Sequence, residues 1–131
     1  MERIFQDQNG DIEQLKGAQF GTVKAMIDDE DSSVVLLWCY DIVSNFWYRI
    51  FIDGTYCGVD RYREDNSGND DDDGVSWSEH SKWFAGKKFL SAQVRFTGRT
   101  DDDIILTLQC QNDQFKLICK FEVGQCHLEF G

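Results

Sequence analysis

The sequence predicts a mainly β fold: one domain of seven to eight mostly antiparallel strands with one or two short helices, built as a curved sheet, a sandwich or a half-open barrel. Three observations carry this expectation. Apolar residues recur at period two in short segments, the pattern of strands with one buried face. Turn signals rich in Asp, Gly, Asn and Ser separate these segments every ~8–12 residues over much of the chain. No segment holds the long helical periodicity that a parallel crossover needs. The 131 residues contain no proline, so no strand is barred from a central position.

Each element follows from its residues. Asp11 is placed to cap a short helix over residues 12–16, with Gln14 reaching back and Gly17 closing it. Residues 18–27 alternate as a strand, with Phe20 and Met26 on one face and Val23, Ala25 and Ile27 on the other. DDEDSS is a turn. Residues 33–43, SVVLLWCYDIV, are apolar on both faces, as a central strand requires. Ser44 and Asn45 turn the chain into FWYRIFI, residues 46–52, where Trp47 and Arg49 oppose Phe46, Tyr48, Ile50 and Ile52. Asp53-Gly54 is a hairpin signal, and residues 55–63 return with Gly58 as a candidate bulge. An acidic loop at 64–76 interrupts the pattern. SWSEHSKWFAG after it is expected to form one short helical turn, pinned to the body by Trp77 and Trp83. Strands resume at Lys88–Phe96, Ile104–Cys110, Phe115–Val123 and Cys126–Phe130, with alternate apolar residues turned inward.

Length and composition fit a single packed domain: 41% of residues are hydrophobic and 14% aromatic. No apolar run approaches the ~20 residues of a membrane span. The opening MERIFQDQNGDIEQ lacks the apolar stretch of a signal peptide, so a cytoplasmic location without membrane partners is expected. The five cysteines are an odd number without a C-x-x-C pair, which argues against a disulfide framework and a zinc ribbon. Cys110 and Cys119 fall on alternating strand patterns, where a buried free thiol acts as a small hydrophobe.

Charge is the strongest bulk signal. Twenty-four acidic residues against 13 basic give a net charge of −11. Such a surface repels the phosphate backbone of nucleic acid and an anionic membrane, and it attracts a basic protein. The carboxylates cluster in Asp28-Asp29-Glu30-Asp31, in the segment from Glu64 to Asp73 that includes Asp70, Asp71, Asp72 and Asp73, and in Asp101-Asp102-Asp103. In an up-and-down order the first and third clusters fall at one end of the sheet and the second at the other. Trp77 and Trp83 flank the middle loop, and aromatics rimmed by charge are the usual make-up of an interface hot spot. These acidic clusters and the two tryptophans are the expected partner-binding residues.

Catalytic and metal signals are weak. Asn69, Asp71, Asp73 and Gly74 match the first half of an EF-hand loop, but position 12 is His80 where a bidentate glutamate is needed, and flanking helices are absent. There is no H-E-x-x-H, no G-x-S-x-G elbow, no P-loop and no G-x-G-x-x-G. A nucleophilic pair such as Cys57 with His80 is compatible with the composition, and no motif marks it. The expectation is therefore a non-enzyme without metal or cofactor.

Three stretches, LKGAQFGTVKAMIDDED, YRIFIDGTYCGVDRYRED and WFAGKKFLSAQV, resemble the pattern of a family of small uncharacterised bacterial and phage mostly-β domains. The matching positions are Leu15 and Gly17, Tyr48 and Ile50, Cys57, Glu64 and Asp65, and Phe84 and Gly86; Gly58 and the long aspartate run depart from the pattern. The resemblance spans residues 15–96 and implies a small mostly-β fold with no activity attached. In size, acidity and aromatic content the chain is also similar to immunity proteins of bacterial toxin systems. That similarity implies a bacterial cytoplasmic protein that neutralises a basic toxin, most concretely a nuclease domain. Two alternatives stand beside it. A phage or plasmid mimic of nucleic acid, blocking a DNA-binding enzyme, would need carboxylates spread along an elongated surface. A small ligand-binding or hydrolytic β-barrel would need an apolar pocket with convergent polar groups.

Overall fold

The structure is a computed structural model that describes residues 1–5, 7–53, 55–70, 75–97, 103–120 and 122–131, with the side chains of residues 69, 70 and 75 outside the description. Its strands are β1 (Glu2–Phe5), β2 (Gly10–Asp11), β3 (Phe20–Asp28), β4 (Val34–Asp41), β5 (Phe46–Asp53), β6 (Tyr56–Tyr62), β7 (Val75–Glu79), β8 (Ser91–Phe96), β9 (Ile104–Gln109), β10 (Gln114–Lys120) and β11 (Gln125–Phe130). Single 3-10 turns occupy Glu13–Leu15, Ser67–Asp70 and Ser81–Phe84.

The strands form two antiparallel sheets, one of six in the order β1-β6-β5-β4-β3-β7 and one of five in the order β11-β10-β9-β8-β2. Neither closes into a barrel. The sheets share one core: Val23, Leu37, Tyr48, Ile50 and Val59 from the first meet Val94, Leu106, Leu108, Phe115 and Leu117 from the second. The expected mainly β, antiparallel architecture is what the chain adopts. The described residues hold more strands than expected because β1 and β2 are too short to show alternation in sequence and β7 falls where the sequence predicts a helical turn.

The six-stranded sheet is apolar on both faces. Its outer face carries Met26, Leu36, Trp38 and Phe51, with Trp47, Tyr56, Tyr62 and Trp77 packed around them. Trp38 is fully buried there, as expected for the central strand β4. Trp47 and Arg49 share this face, opposite Tyr48, Ile50 and Ile52, as the alternation of β5 requires.

Several local expectations are corrected. Phe20 lies on the core side with Val23 and Ala25, while Met26 faces outward. Pairing slips between Phe20 and Thr22, where Gly21 is the extra residue, and this puts Phe20 on the face of Val23 and Ala25; a second slip, between Met26 and Ile27, takes its extra residue from β4 and leaves β3 in phase. The expected helix is a 3-10 turn, Glu13–Leu15, without a side-chain cap: Asp11 lies in β2, and the N-cap position falls on Ile12, whose side chain has no hydrogen-bonding group. Trp77 sits on a strand, β7, and only Ser81–Phe84 forms a helical turn. β10 ends at Lys120, and Val123 is an exposed turn residue rather than an inward one.

Gly58 is not a bulge. It pairs in register with Phe51, and the Phe51 ring lies where a Cβ would project. Arg49 covers the same ring, its guanidinium carbon 4.6 Å from the centroid. Gly58→Ala is therefore expected to destabilise the domain by about 1–3 kcal/mol, as overpacking typically does. Urea denaturation checks this, and pairing it with Phe51→Leu should recover part of the loss; a single variant of unchanged stability would show that the ring has room to move.

Candidate functional site

The strand register gathers the acidic turns. β3 ends at Asp28, β5 at Asp53 and β10 at Lys120, while β9 begins beside Cys119, and these points lie at one end of the sandwich. Gln125 closes the connection between the sheets, its Nε2 donating to Asp31 Oδ2 at 2.6 Å. Asp28, Asp29, Glu30 and Asp31 are therefore grouped with Asp53, Asp103 and Glu122. Asp101 and Asp102 lie outside the described residues, as do Asp71, Asp72 and Asp73. The side chain of Asp70 is likewise outside the description.

The 28–31 turn is held by its own carboxylates. Asp28 Oδ1 accepts the backbone N–H of Glu30 at 2.8 Å and of Asp31 at 3.2 Å. Asp31 Oδ1 accepts the N–H of Ser33 at 2.8 Å, and Ser76 Oγ donates to Asp29 at 2.6 Å. Hydrogen bonds from Ser33 hold the Asp31 carboxyl below the ordinary carboxylate range, with Gln125 and the nearby His127 acting in the same direction. Asp29, Glu30 and Asp31 remain exposed on this fixed scaffold.

Beside the turn is an open flank. β11 is the edge of the five-stranded sheet and packs over β4, so β3 and β7 extend beyond it. The Ser81–Phe84 turn fills part of the overhang. Phe84 packs edge-on against Phe20, Phe89 and Phe115, and Trp83 sits against Phe130. The remainder is a cleft of about 550 Å³ between β7 and β11. Ile27, Trp83, Leu128 and Phe130 supply its apolar wall, Ser76, Ser78, His80 and His127 its polar groups, and Asp28 and Asp29 its acidic rim. Both histidines of the chain border this cleft, His80 from the end of β7 and His127 from the edge strand β11, where it alternates with Cys126 and Leu128. Ser78 Oγ lies 2.7 Å from His80 Nε2, and the His80 ring stacks on Trp83 at 3.8 Å with 9° between planes.

Trp83 and Trp77 are not neighbours on one surface. Trp83 lines the cleft on the inner side of the edge, whereas Trp77 packs on the outer face against the Met26 cluster. The described part of the middle acidic loop also belongs to the outer face. Lys24, which leans over the Trp47 ring at 5.5 Å, is ion-paired with Asp65 and reaches Ser67. Burial pushes the Asp65 carboxyl up, and hydrogen bonds from Lys24 and Ser67 outweigh it and hold the group below its ordinary value.

A second concavity, about 470 Å³, carries Arg3, Arg49, Phe51 and Tyr56. Both arginines are engaged by Asp60, which is completely buried. Cys57 faces the core from β6, separated from β7 by three strands, and burial pushes its thiol up to about 12. It forms no pair with His80. Among the described residues no group of three His, Cys, Asp or Glu side chains is arranged to hold a metal ion, and no helix is long and apolar enough to cross a membrane.

Of the residues singled out in the sequence, the structure places Asp28, Asp29 and Trp83 around one cleft, together with Ser78, His127 and the edge of β11, which the sequence did not single out. The S-x-S-x-H spacing of residues 76–80 is the signal that could have placed Ser76, Ser78 and His80 on one face of a strand. Comparison with protein-family models, with curated proteins and with solved structures found no match to this chain.

Proposed function

We propose that this protein is a non-enzymatic acidic binding module that captures a basic protein, most concretely as an immunity protein that blocks a bacterial toxin nuclease. One observation carries the reading: a rigid turn bearing Asp29, Glu30 and Asp31 stands beside a cleft walled by Trp83, Leu128 and Phe130. Clustered carboxylates steer a basic surface into encounter, and an adjoining aromatic cleft, desolvated once the partner fills it, supplies the short-range contacts that slow dissociation. Carboxylates bunched on turns favour this reading over a nucleic-acid mimic, which needs them spaced along the surface like phosphates.

The test is capture of the partner from the source cell at low salt, its identification by mass spectrometry, and association kinetics across salt concentrations. The expected result is a basic protein domain whose association rate falls by an order of magnitude or more between low and high salt. A neutral or acidic partner, or a rate that is flat with salt, would overturn the proposal.

A further inference from the structure

The backbone of β11 is only half used. Gln114 and Gly131 exchange both backbone hydrogen bonds, at 2.7 and 2.9 Å. In an antiparallel ladder the bonded pairs alternate, so 116 with 129, 118 with 127 and 120 with 125 are also bonded pairs. Cys126, Leu128 and Phe130 fall between them and turn their N–H and C=O groups away from β10, toward the open flank. No backbone partner takes these groups among the described residues.

We infer that this edge is a strand-acceptor site, and that its occupant is a basic extended segment of the captured protein, added beside β11 over the overhang of β3 and β7. The inference rests on the proposed capture of a basic protein and names how that protein is held. Position selects β11 over the other free edge nearby. A strand beside β11 gains the floor of Ser76, Ser78 and His80 and the wall of Trp83, whereas a strand beyond β7 would have no second sheet beneath it. Charge selects the occupant. The cleft is rimmed by Asp28 and Asp29, and Asp31 is tied to Gln125 at the start of β11, so a lysine or arginine of the incoming strand meets carboxylates there. At the other end Phe130, 52% exposed, and Trp83 offer apolar surface to an alternating side chain. Main-chain bonds supply affinity in such pairing and the side-chain pockets supply selectivity.

The probe is a capped peptide, Lys-Val-Arg-Val-Lys-Val-Arg, added to the isotopically labelled full chain until its chemical shifts saturate. Hydrogen exchange at the amides of Leu128 and Phe130 is expected to slow by at least about tenfold, while His127 and Glu129, already bonded to β10, change less. A full chain joined by ligation at Cys126 and carrying N-methyl-leucine at position 128 keeps its bonds to β10 and loses one donor on the open edge. Its affinity for the peptide should fall by about tenfold or more. Binding indifferent to N-methylation but abolished by Glu30→Lys with Asp29→Lys would overturn strand addition and leave the acidic end as the docking surface. Binding indifferent to both changes, or no binding, would overturn both. Protection that moves to Val75–Glu79, or that precedes the peptide and grows with protein concentration, would also overturn the assignment; the latter would make a second copy of the chain the occupant.

Discussion

Asp60→Ala is expected to cost roughly 3 kcal/mol of stability and to lower the melting temperature by about 10 °C. Asp60 is fully buried, and its carboxylate serves two guanidiniums. Arg3 Nε donates to Oδ1 at 2.8 Å and Arg3 Nη2 to Oδ2 at 3.1 Å, while Arg49 Nη1 donates to Oδ2 at 3.2 Å. The shared carboxylate keeps the Arg3 guanidinium above its usual pKa. Removing one member of a buried charge group strands the others, which typically costs about 3–5 kcal/mol. The low end applies because the Arg3 and Arg49 side chains remain 36% and 22% exposed and can recover some hydration. Asp60→Asn should lose less, since it keeps the shape and one acceptor. Replacing Arg3, Arg49 and Asp60 together with Met, Met and Leu should restore most of the loss, because an apolar set has no desolvation to offset. The local effect should fall on β1, which Arg3 fastens to β6, and faster amide exchange at Glu2–Phe5 would report it. A loss below about 1 kcal/mol would mean that the triad fixes the register of β1 and adds little stability.

That triad also marks where sequence reasoning stops. Arg3 and Asp60 are 57 residues apart, and Arg49 and Asp60 are 11 apart on neighbouring strands. Nothing local distinguishes Asp60 from the exposed aspartates. Regular strands were legible because one face is buried throughout. Ile104, Leu106 and Leu108 alternate with half-exposed residues, as do Phe115, Leu117 and Cys119. Phase was lost in β3 at one slip in pairing, at Gly21, whose missing Cβ leaves room for Ile42, so that Phe20 falls on the core face against the alternation of Val23, Ala25 and Ile27. β7 was read as helical because its single tryptophan alternates with serines, giving period two without an apolar stripe. The acidic turn was legible from charge alone. The cleft was not, since it is assembled from the β3–β4 turn, β7, the Ser81–Phe84 turn and β11, and only tertiary packing brings those segments together.

Reversing the exposed charges of the 28–31 turn should slow association with the captured basic protein by about tenfold or more at low salt, with little change in dissociation. Asp29→Lys with Glu30→Lys is the informative pair. Asp28 and Asp31 are left in place because their carboxylates hold the turn through the N–H groups of Glu30, Asp31 and Ser33. Among the described residues, Asp29 gives up the bond from Ser76, and Glu30 contributes its backbone N–H to the turn. The control is position. Glu13 is exposed on the first 3-10 turn, at the opposite end of the sandwich, where Ile12 and Gly17 bond to Ala92 and Phe89. Glu13→Lys and Glu30→Lys change the net charge equally. Steering by the acidic end requires Glu30→Lys to slow association more than Glu13→Lys, and the difference to vanish near 1 M salt, where the screening length is about 3 Å. Equal slowing by the two would assign the attraction to net charge alone. A rate unchanged by the paired reversal would remove the turn from the encounter and leave the cleft and the β11 edge to account for binding by short-range contacts.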